Sequence, residues 1–395
     1  MNHQSDQAIQ TRLLTSGLPT PCYIIDEAKL IANGQILKEI QDTTGCKILL
    51  AQKAFSNYDL YPVLAPYLAG TEASGLYEAR LGAEEMPDKE CHVFCAAYRE
   101  EDFDELLLYA DHIVFNSPAQ LKKFGVKAKY AGKEIGLRIN PECSTQDGHA
   151  IYDPCAPGSR LGTTLTQWQK EMTPEYVALL DGLHFHTLCE QDSDALEQTL
   201  TAVEEKFGFL LPKLKWLNMG GGHHITRSDY NVERLKKCIT YMKNTYSLEL
   251  YLEPGEAVAL NAGYLLTRIL DVVENGDTAI AIHDMSPACH TPDVIEMPYR
   301  PPLYLSGEAK EKAYTYRLAG PTCLAGDVVS DYSFDTPLSE GDRLLYEDMA
   351  IYSTCKNNTF NGMPLPDIWV ANSDGTYKLL ARFGYDDFKY RLGQK

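Results

Sequence analysis

Lys53 closes the apolar run Ile48-Leu49-Leu50-Ala51-Gln52. A lysine at the end of a buried strand is held in a setting that disfavours its charge. Desolvation favours the neutral amine of a lysine, and a neutral amine can attack an aldehyde. A lysine snorkelling from a strand end is the plainer reading of the same residue. Asn218-Met219-Gly220-Gly221-Gly222 follows another apolar run, and three glycines let the backbone come close to a phosphate and present N–H groups to it. Glu253-Pro254-Gly255-Glu256 ends a third run. It places a carboxylate where it could pair with a protonated ring nitrogen and keep that ring an electron sink. His184-Phe185-His186-Thr187 ends a fourth, with both histidines on one face by strand alternation. One of them could stack on a flat ring. Together with His223 and His224 they could instead form a metal cluster. No acidic ligand at convincing spacing accompanies the four, and a metal leaves Lys53 unexplained, so no metal is expected.

These residues need a frame that brings strand ends together. From Lys47 to Glu253 short apolar runs alternate with amphipathic stretches, the pattern of parallel strands wrapped by helices. Eight strands are predicted: Lys47 to Lys53, Gly70 to Ser74, His92 to Ala97, His112 to Asn116, Glu134 to Asn140, Gly182 to Thr187, Lys215 to Met219 and Leu248 to Glu253. Eight predict an α/β architecture, a closed (β/α)8 barrel whose active site gathers at the C-terminal strand ends. Pro21 to Asp26 reads as a strand of another domain, and Ala28 to Gly45 as a helix with a glycine stop. After Glu256 strand-like runs such as Gly263 to Val273, Ala313 to Ala319, Arg343 to Tyr346 and Tyr377 to Phe383 predict an antiparallel β domain. The expected division is a barrel over 27–257 and a sheet domain over 1–26 and 258–395.

With 395 residues, 44% of them apolar, the chain is long enough for two such cores. A net charge of -19 argues against nucleic acid or an anionic membrane as partner and favours cationic ligands. No apolar stretch is long enough for a transmembrane helix, and the polar N-terminus lacks a signal pattern. The 11 cysteines are scattered without paired zinc spacings. A cytoplasmic protein with reduced thiols is expected.

Motifs running nearly the whole length carry a family resemblance: Ala51-Gln52-Lys53-Ala54-Phe55, Glu72-Ala73-Ser74-Gly75, Tyr152-Asp153-Pro154 through Ser159-Arg160-Leu161-Gly162, His184-Phe185-His186, the triple glycine, and Glu253-Pro254-Gly255-Glu256. Glu296-Met297-Pro298-Tyr299-Arg300-Pro301, Gly320-Pro321-Thr322-Cys323 and Glu347-Asp348-Met349-Ala350-Ile351-Tyr352 continue them in order. The chain resembles the fold-type III pyridoxal 5'-phosphate decarboxylases, the ornithine and diaminopimelate decarboxylase group, and within it the carboxynorspermidine/carboxyspermidine branch. The resemblance implies Lys53 as Schiff-base lysine, His186 stacked on the pyridine face and Glu253 at the pyridine nitrogen. It also implies Gly221, Gly222, Gly255 and Tyr352 at the phosphate and Arg138 near the ring. A homodimer with shared active sites is implied as well, in which Cys323 reaches the partner's cofactor to protonate the product carbon.

The departures from the family pattern narrow the substrate. Ornithine-type enzymes follow the cysteine with an aspartate, where this chain has Leu324, with Asp327 three residues further on. Their arginine after Glu-Pro-Gly is Glu256 here, and Ala257 stands where diaminopimelate enzymes carry a cation. The resemblance therefore implies a substrate with a positive tail, facing Glu256, Asp293, Glu296 and Asp327, and a role in polyamine biosynthesis. Other readings kept open are a diaminopimelate- or ornithine-type decarboxylase, a racemase, a non-catalytic relative and a metal-dependent barrel.

Overall fold

The structure is a computed structural model that describes residues 3–146 and 150–393. The chain divides into two compact units. One runs from Ile31 to Val258, and the other joins the N-terminal segment through Leu30 to everything from Ala259 on. The first boundary falls inside the helix Glu27–Thr44 and not at its start.

The Ile31–Val258 unit is a closed barrel of eight parallel strands: β2 (Lys47–Ala51), β3 (Gly70–Ala73), β4 (Glu90–Phe94), β5 (His112–Phe115), β6 (Glu134–Arg138), β7 (Gly182–His184), β8 (Trp216–Asn218) and β9 (Glu249–Leu252). Lys47 pairs with Tyr251 and Ile48 with Leu252 to close the ring. All eight predicted strands are present. Several end earlier than the apolar pattern: β2 stops at Ala51 and β7 at His184. Beyond them, Lys53 lies in a turn and His186 in irregular chain.

The outer helices are amphipathic. Ser193–Phe207 buries Leu196, Leu200, Val203 and Phe207, a spacing of three to four residues that lines one face. Inside the barrel Trp216, Tyr251, Leu49 and Val114 form a packed cluster. Gly182 makes room for it, since a Cβ there would lie 2.0 Å from the Trp216 ring.

The second unit holds β1 (Cys22–Asp26), β10 (Gly263–Asn275), β11 (Thr278–His283), β12 (Tyr314–Ala319), β13 (Val328–Phe334), β14 (Arg343–Glu347), β15 (Asp367–Ala371) and β16 (Tyr377–Ala381). They form one sheet in the order β13-β12-β11-β10-β1-β15-β16, with β14 also on β10. The sheet is mostly antiparallel, and two pairings, β1 with β15 and β11 with β12, are parallel. The long β10 shifts register between Ile269 and Asp271. Its first half pairs with β1 and β14, and its second half with β11. The runs singled out in the sequence do not include β11, β13 or β15. Polar Ser330, Asp331 and Ser333 break the apolar pattern of β13. The polar start of the chain forms a helix, His3–Leu14, whose Ile9, Leu13 and Leu14 join the sheet core. Among the described residues no helix is long and apolar enough to cross a membrane.

Candidate active site

At the C-terminal end of β2 the chain turns sharply. Gln52 is fully buried and fixes the turn: its N–H donates to the Glu72 carbonyl (3.1 Å), its Nε2 donates to the Glu78 carbonyl (2.8 Å), and its Oε1 accepts from Tyr61 Oη (3.0 Å). The next residue, Lys53, is half-buried, and among the described residues it makes no hydrogen bond or ion pair. A lysine left without a partner in a held turn can form a bond to something else.

Glu253 follows β9 and is 7% exposed. Its carboxylate accepts from His184 Nε2 (2.9 Å) and from Asn218 Nδ2 (2.5 Å). Burial alone would raise its pKa, but the His184 and Asn218 donors hold it below the ordinary carboxylate value. Burial keeps His184 below the ordinary histidine pKa. The site therefore contains an ionised carboxylate facing a neutral imidazole. The lone pairs those two bonds do not use leave Glu253 able to accept a further proton donor.

The triple glycine lies against the ends of the neighbouring strands. A Cβ on Gly221 would stand 2.2 Å from the Glu253 carbonyl oxygen, and one on Gly222 would stand 1.9 Å from that of Leu188. Gly222 also has φ +79, a left-handed conformation that side chains rarely adopt. The Gly221 N–H donates to His186 Nδ1 (2.8 Å), which fixes the ring and leaves Nε2 to carry the proton. Burial, with the charges of Lys53 and Arg138 added, pushes the His186 pKa well down, so the ring is neutral. Arg138 ends β6, donates to the His186 carbonyl (3.0 Å) and lies 4.5 Å over the Phe94 ring. Burial lowers its pKa to about 10. Gly255 sits beside Ala54, where a Cβ would come within 2.6 Å, so the Glu253 turn packs on the Lys53 turn.

Glu256 opens the short helix Glu256–Ala259 and is bonded to His224 Nε2 (2.7 Å). Glu190, His224 and Glu256 group their polar atoms within 4.8 Å. The four histidines considered as a metal cluster have separate partners. His184 meets Glu253, His186 meets Gly221, His223 meets Tyr230 Oη (3.0 Å) and His224 meets Glu256.

Lys53, Arg138, His186, Gly221, Gly222, Glu253, Gly255 and Glu256 thus belong to the barrel unit, and the other candidates to the sheet unit. There Cys323 is exposed, and its N–H donates to Asn361 Oδ1 (2.8 Å). Tyr352 adopts a left-handed φ of 56 ahead of the helix Ser353–Lys356. Asp293 and Glu296 both bind the Lys356 ammonium. Asp327 is 2% exposed, and both its oxygens are engaged. Ser286 Oγ (2.8 Å) and Ala288 N (3.0 Å) donate to one, Thr322 Oγ1 (2.6 Å) and Thr322 N (3.2 Å) to the other. The sequence reading assigned no role to Asn218 or Glu72, which the fold places at the strand ends beside Glu253 and Lys53. Their position at the close of apolar runs was the available signal.

An unpartnered lysine, a glycine turn too close to its neighbours for any side chain, and a buried ionised carboxylate form a donor set that fits pyridoxal phosphate: aldehyde, phosphate and ring nitrogen each have a complement. The comparisons agree with this reading. The family described as "Pyridoxal-dependent decarboxylase, C-terminal sheet domain" matches residues 22–350, and the chain belongs to this family of pyridoxal-dependent decarboxylases. It is a carboxy-lyase of that family. It is 39% identical over 379 residues to carboxyaminopropylagmatine decarboxylase of Synechocystis sp., covering 96% of each chain. It is 38% identical over 385 residues to carboxynorspermidine/carboxyspermidine decarboxylase of Campylobacter jejuni, covering 95% of this chain and 98% of the relative. The crystal structure of carboxynorspermidine decarboxylase complexed with norspermidine, also from Campylobacter jejuni, superposes with a TM-score of 0.86 at 37% identity, over 95% of this chain and 100% of that one.

Proposed function

We propose that the chain removes the α-carboxylate of carboxynorspermidine or carboxyspermidine, with pyridoxal 5'-phosphate held by Lys53, as a step in polyamine biosynthesis. The observation that carries this reading is the full-length likeness, at 37% identity, to the enzyme solved with norspermidine. Glu256 in place of the arginine of the ornithine group supports a cationic tail. The relative named for carboxyaminopropylagmatine supports a second substrate, one that ends in a guanidinium group. Both substrates combine an amino-acid head with a positive tail, and both suit a chain of net charge -19.

Pyridoxal phosphate, when bound, supplies the electron sink for the bond to CO2. Lys53 would hold its aldehyde carbon, Glu253 its ring nitrogen and His186 its ring face, with Arg138 near the ring. Gly221, Gly222, Gly255 and Tyr352 would hold its phosphate. The ionised state of Glu253 is what lets it keep a ring proton in place. Glu256, Asp293 and Glu296 are the carboxylates proposed for the substrate tail. Asp327, already saturated by Ser286, Ala288 and Thr322, is the weakest of the four. Cys323, exposed on a single chain, is proposed to reach the site of a second copy and deliver the proton that replaces CO2. The sheet domain, over 1–26 and 258–395, would then contribute to a homodimer interface. All eleven cysteines are free thiols, which supports a reducing, cytoplasmic setting.

The test is to supply the purified enzyme with carboxynorspermidine, carboxyspermidine and carboxyaminopropylagmatine separately and to measure product amines by chromatography. Turnover of either of the first two at least about tenfold above the third, a difference of about 1.4 kcal/mol, supports the main reading. The reverse order installs the guanidinium reading, and turnover of none of them overturns both. Borohydride reduction followed by peptide mapping should place the cofactor on Lys53.

A further inference from the structure

Glu72 lies one residue before the end of β3, in register with Ala51 of β2 and His92 of β4. Its neighbour Thr71 faces outward: a Cβ on Gly82 of the outer helix Leu76–Glu85 would meet Thr71 Oγ1 at 2.4 Å. Alternation then turns Glu72 toward the barrel interior. Its carbonyl accepts the N–H of Gln52, so its place relative to Lys53 is set by the backbone. The residue is 4% exposed, and among the described residues its carboxyl makes no hydrogen bond. A carboxylate so far removed from solvent and given no protein donor is costly, and such a group takes up a proton instead.

The charged groups around it bear on that choice from every side. Glu253, past β9, is ionised with donors at both oxygens and repels a second negative charge. Glu78, on the helix Leu76–Glu85, adds to the repulsion, and its own Oε2 accepts from Ser74 N (2.6 Å). Lys53 and Arg138 act in the opposite sense. Past β4, Cys95 is a half-buried thiol whose Sγ donates to the Ser74 carbonyl, and the Tyr98 hydroxyl is already committed to the Val93 and Val114 carbonyls. Burial first and Glu253 second drive the Glu72 pKa well above the ordinary carboxylate range.

We propose that Glu72 is a proton-holding carboxyl that passes its proton to the Lys53 amine and takes it back. In the forward step the O–H bond of Glu72 breaks as an N–H bond forms on Lys53 Nζ, leaving a carboxylate beside an ammonium. The reverse step restores the neutral pair. A lysine that is alternately bonded and free needs such an exchange at each release, and the half-buried turn limits exchange with bulk water. Keeping Glu72 neutral also withholds a negative charge that would trap Lys53 as an ammonium, which cannot act as a nucleophile.

This inference rests on the decarboxylase reading only for turnover, because its primary test needs no substrate. The infrared spectrum of the cofactor-loaded enzyme near neutral pH should contain the C=O stretch of a protonated carboxyl, shifted in D2O and absent from Glu72→Gln. In Glu253→Gln the band should vanish at lower pH than in the wild type. The Glu72→Gln enzyme should retain cofactor and KM and lose about 100-fold in kcat, the scale of a lost general acid-base group. Absence of the band from the wild type, its persistence in Glu72→Gln, or wild-type kcat in that variant would overturn the proposal. If Glu72→Gln does not fold, the Glu253→Gln band decides: an unchanged pH of disappearance overturns it. Failure of every carboxylated polyamine as substrate would sink the functional reading and leave the infrared result standing.

Discussion

Lys47 opens one barrel strand, Lys53 lies in the turn that follows the strand's other end, and the two meet opposite fates. At the N-terminal end, Lys47 binds Glu249 (2.7 Å) and Glu90, and donates to Tyr251 Oη (3.2 Å). Burial opposes its charge, yet those partners raise its pKa above the ordinary lysine value. Glu90 is held down to about 2: burial works against ionisation, and His92 and Lys47 overcome it. His92 stacks on His112 with ring centroids 3.9 Å apart and planes 14° from parallel. Past the C-terminal end, among the described residues, Lys53 makes no hydrogen bond or ion pair and the Glu72 carboxyl makes no hydrogen bond. A lysine held by carboxylates is a structural charge, and one left without them is available for chemistry.

The sharpest way to break this contrast is Lys53→Ala. Turnover should fall on the order of 10⁴-fold or more, the scale at which a lone covalent group is missed, and thermal unfolding should stay unchanged. A large drop in melting temperature would mean that Lys53 is a structural lysine like Lys47.

Next in size is Glu253→Ala, expected to lower kcat about 100- to 1,000-fold. Retention of cofactor by absorbance would separate this from a binding defect, and near-wild-type turnover would remove Glu253 from the chemistry.

The converse substitution, Lys47→Met, should cost about 1–2 kcal/mol, between the values for exposed and buried ion pairs, because the pair is only partly buried. A shift in the urea midpoint at constant m, with kcat within about twofold, is the expected signature. A loss of activity without loss of stability would erase the distinction between the two ends.

The smallest effect is in the pH dependence. Burial lowers the His112 pKa to about 3 and those of His223 and His290 to about 4. A depressed folded-state value means that the unfolded chain binds the extra proton, so this stability is fully present above about pH 6.5 and is lost as pH falls. Glu90 adds to the loss only below its ordinary value of 4.5. His112→Phe should therefore flatten the stability profile by one proton between about pH 6.5 and 4.5. An unchanged slope would show that His112 takes up its proton in that window in the folded protein as it does in the unfolded chain.

Much of the site was legible in the sequence because strand ends announce themselves. Lys53, His186, the glycines and Glu253 each follow an apolar run, and the barrel turns that one-dimensional regularity into convergence. β13 was less visible, because a half-buried strand whose polar residues interrupt the alternation gives no clear period. The N-terminal helix was hidden for a similar reason: few apolar residues, such as Ile9, Leu13 and Leu14, carry its packing.

Residue types and their order thus determined the eight-stranded barrel, the lysine and the carboxylate. Tertiary structure alone decided which charges are paired. Lys47 and Lys53 look alike in sequence, six residues apart around one apolar run. Glu72 and Glu253 are both acids at strand ends, but among the described residues the fold gives the Glu253 carboxylate two donors and the Glu72 carboxyl none. Pairing depends on distances between strands far apart in the chain, and no local pattern encodes it.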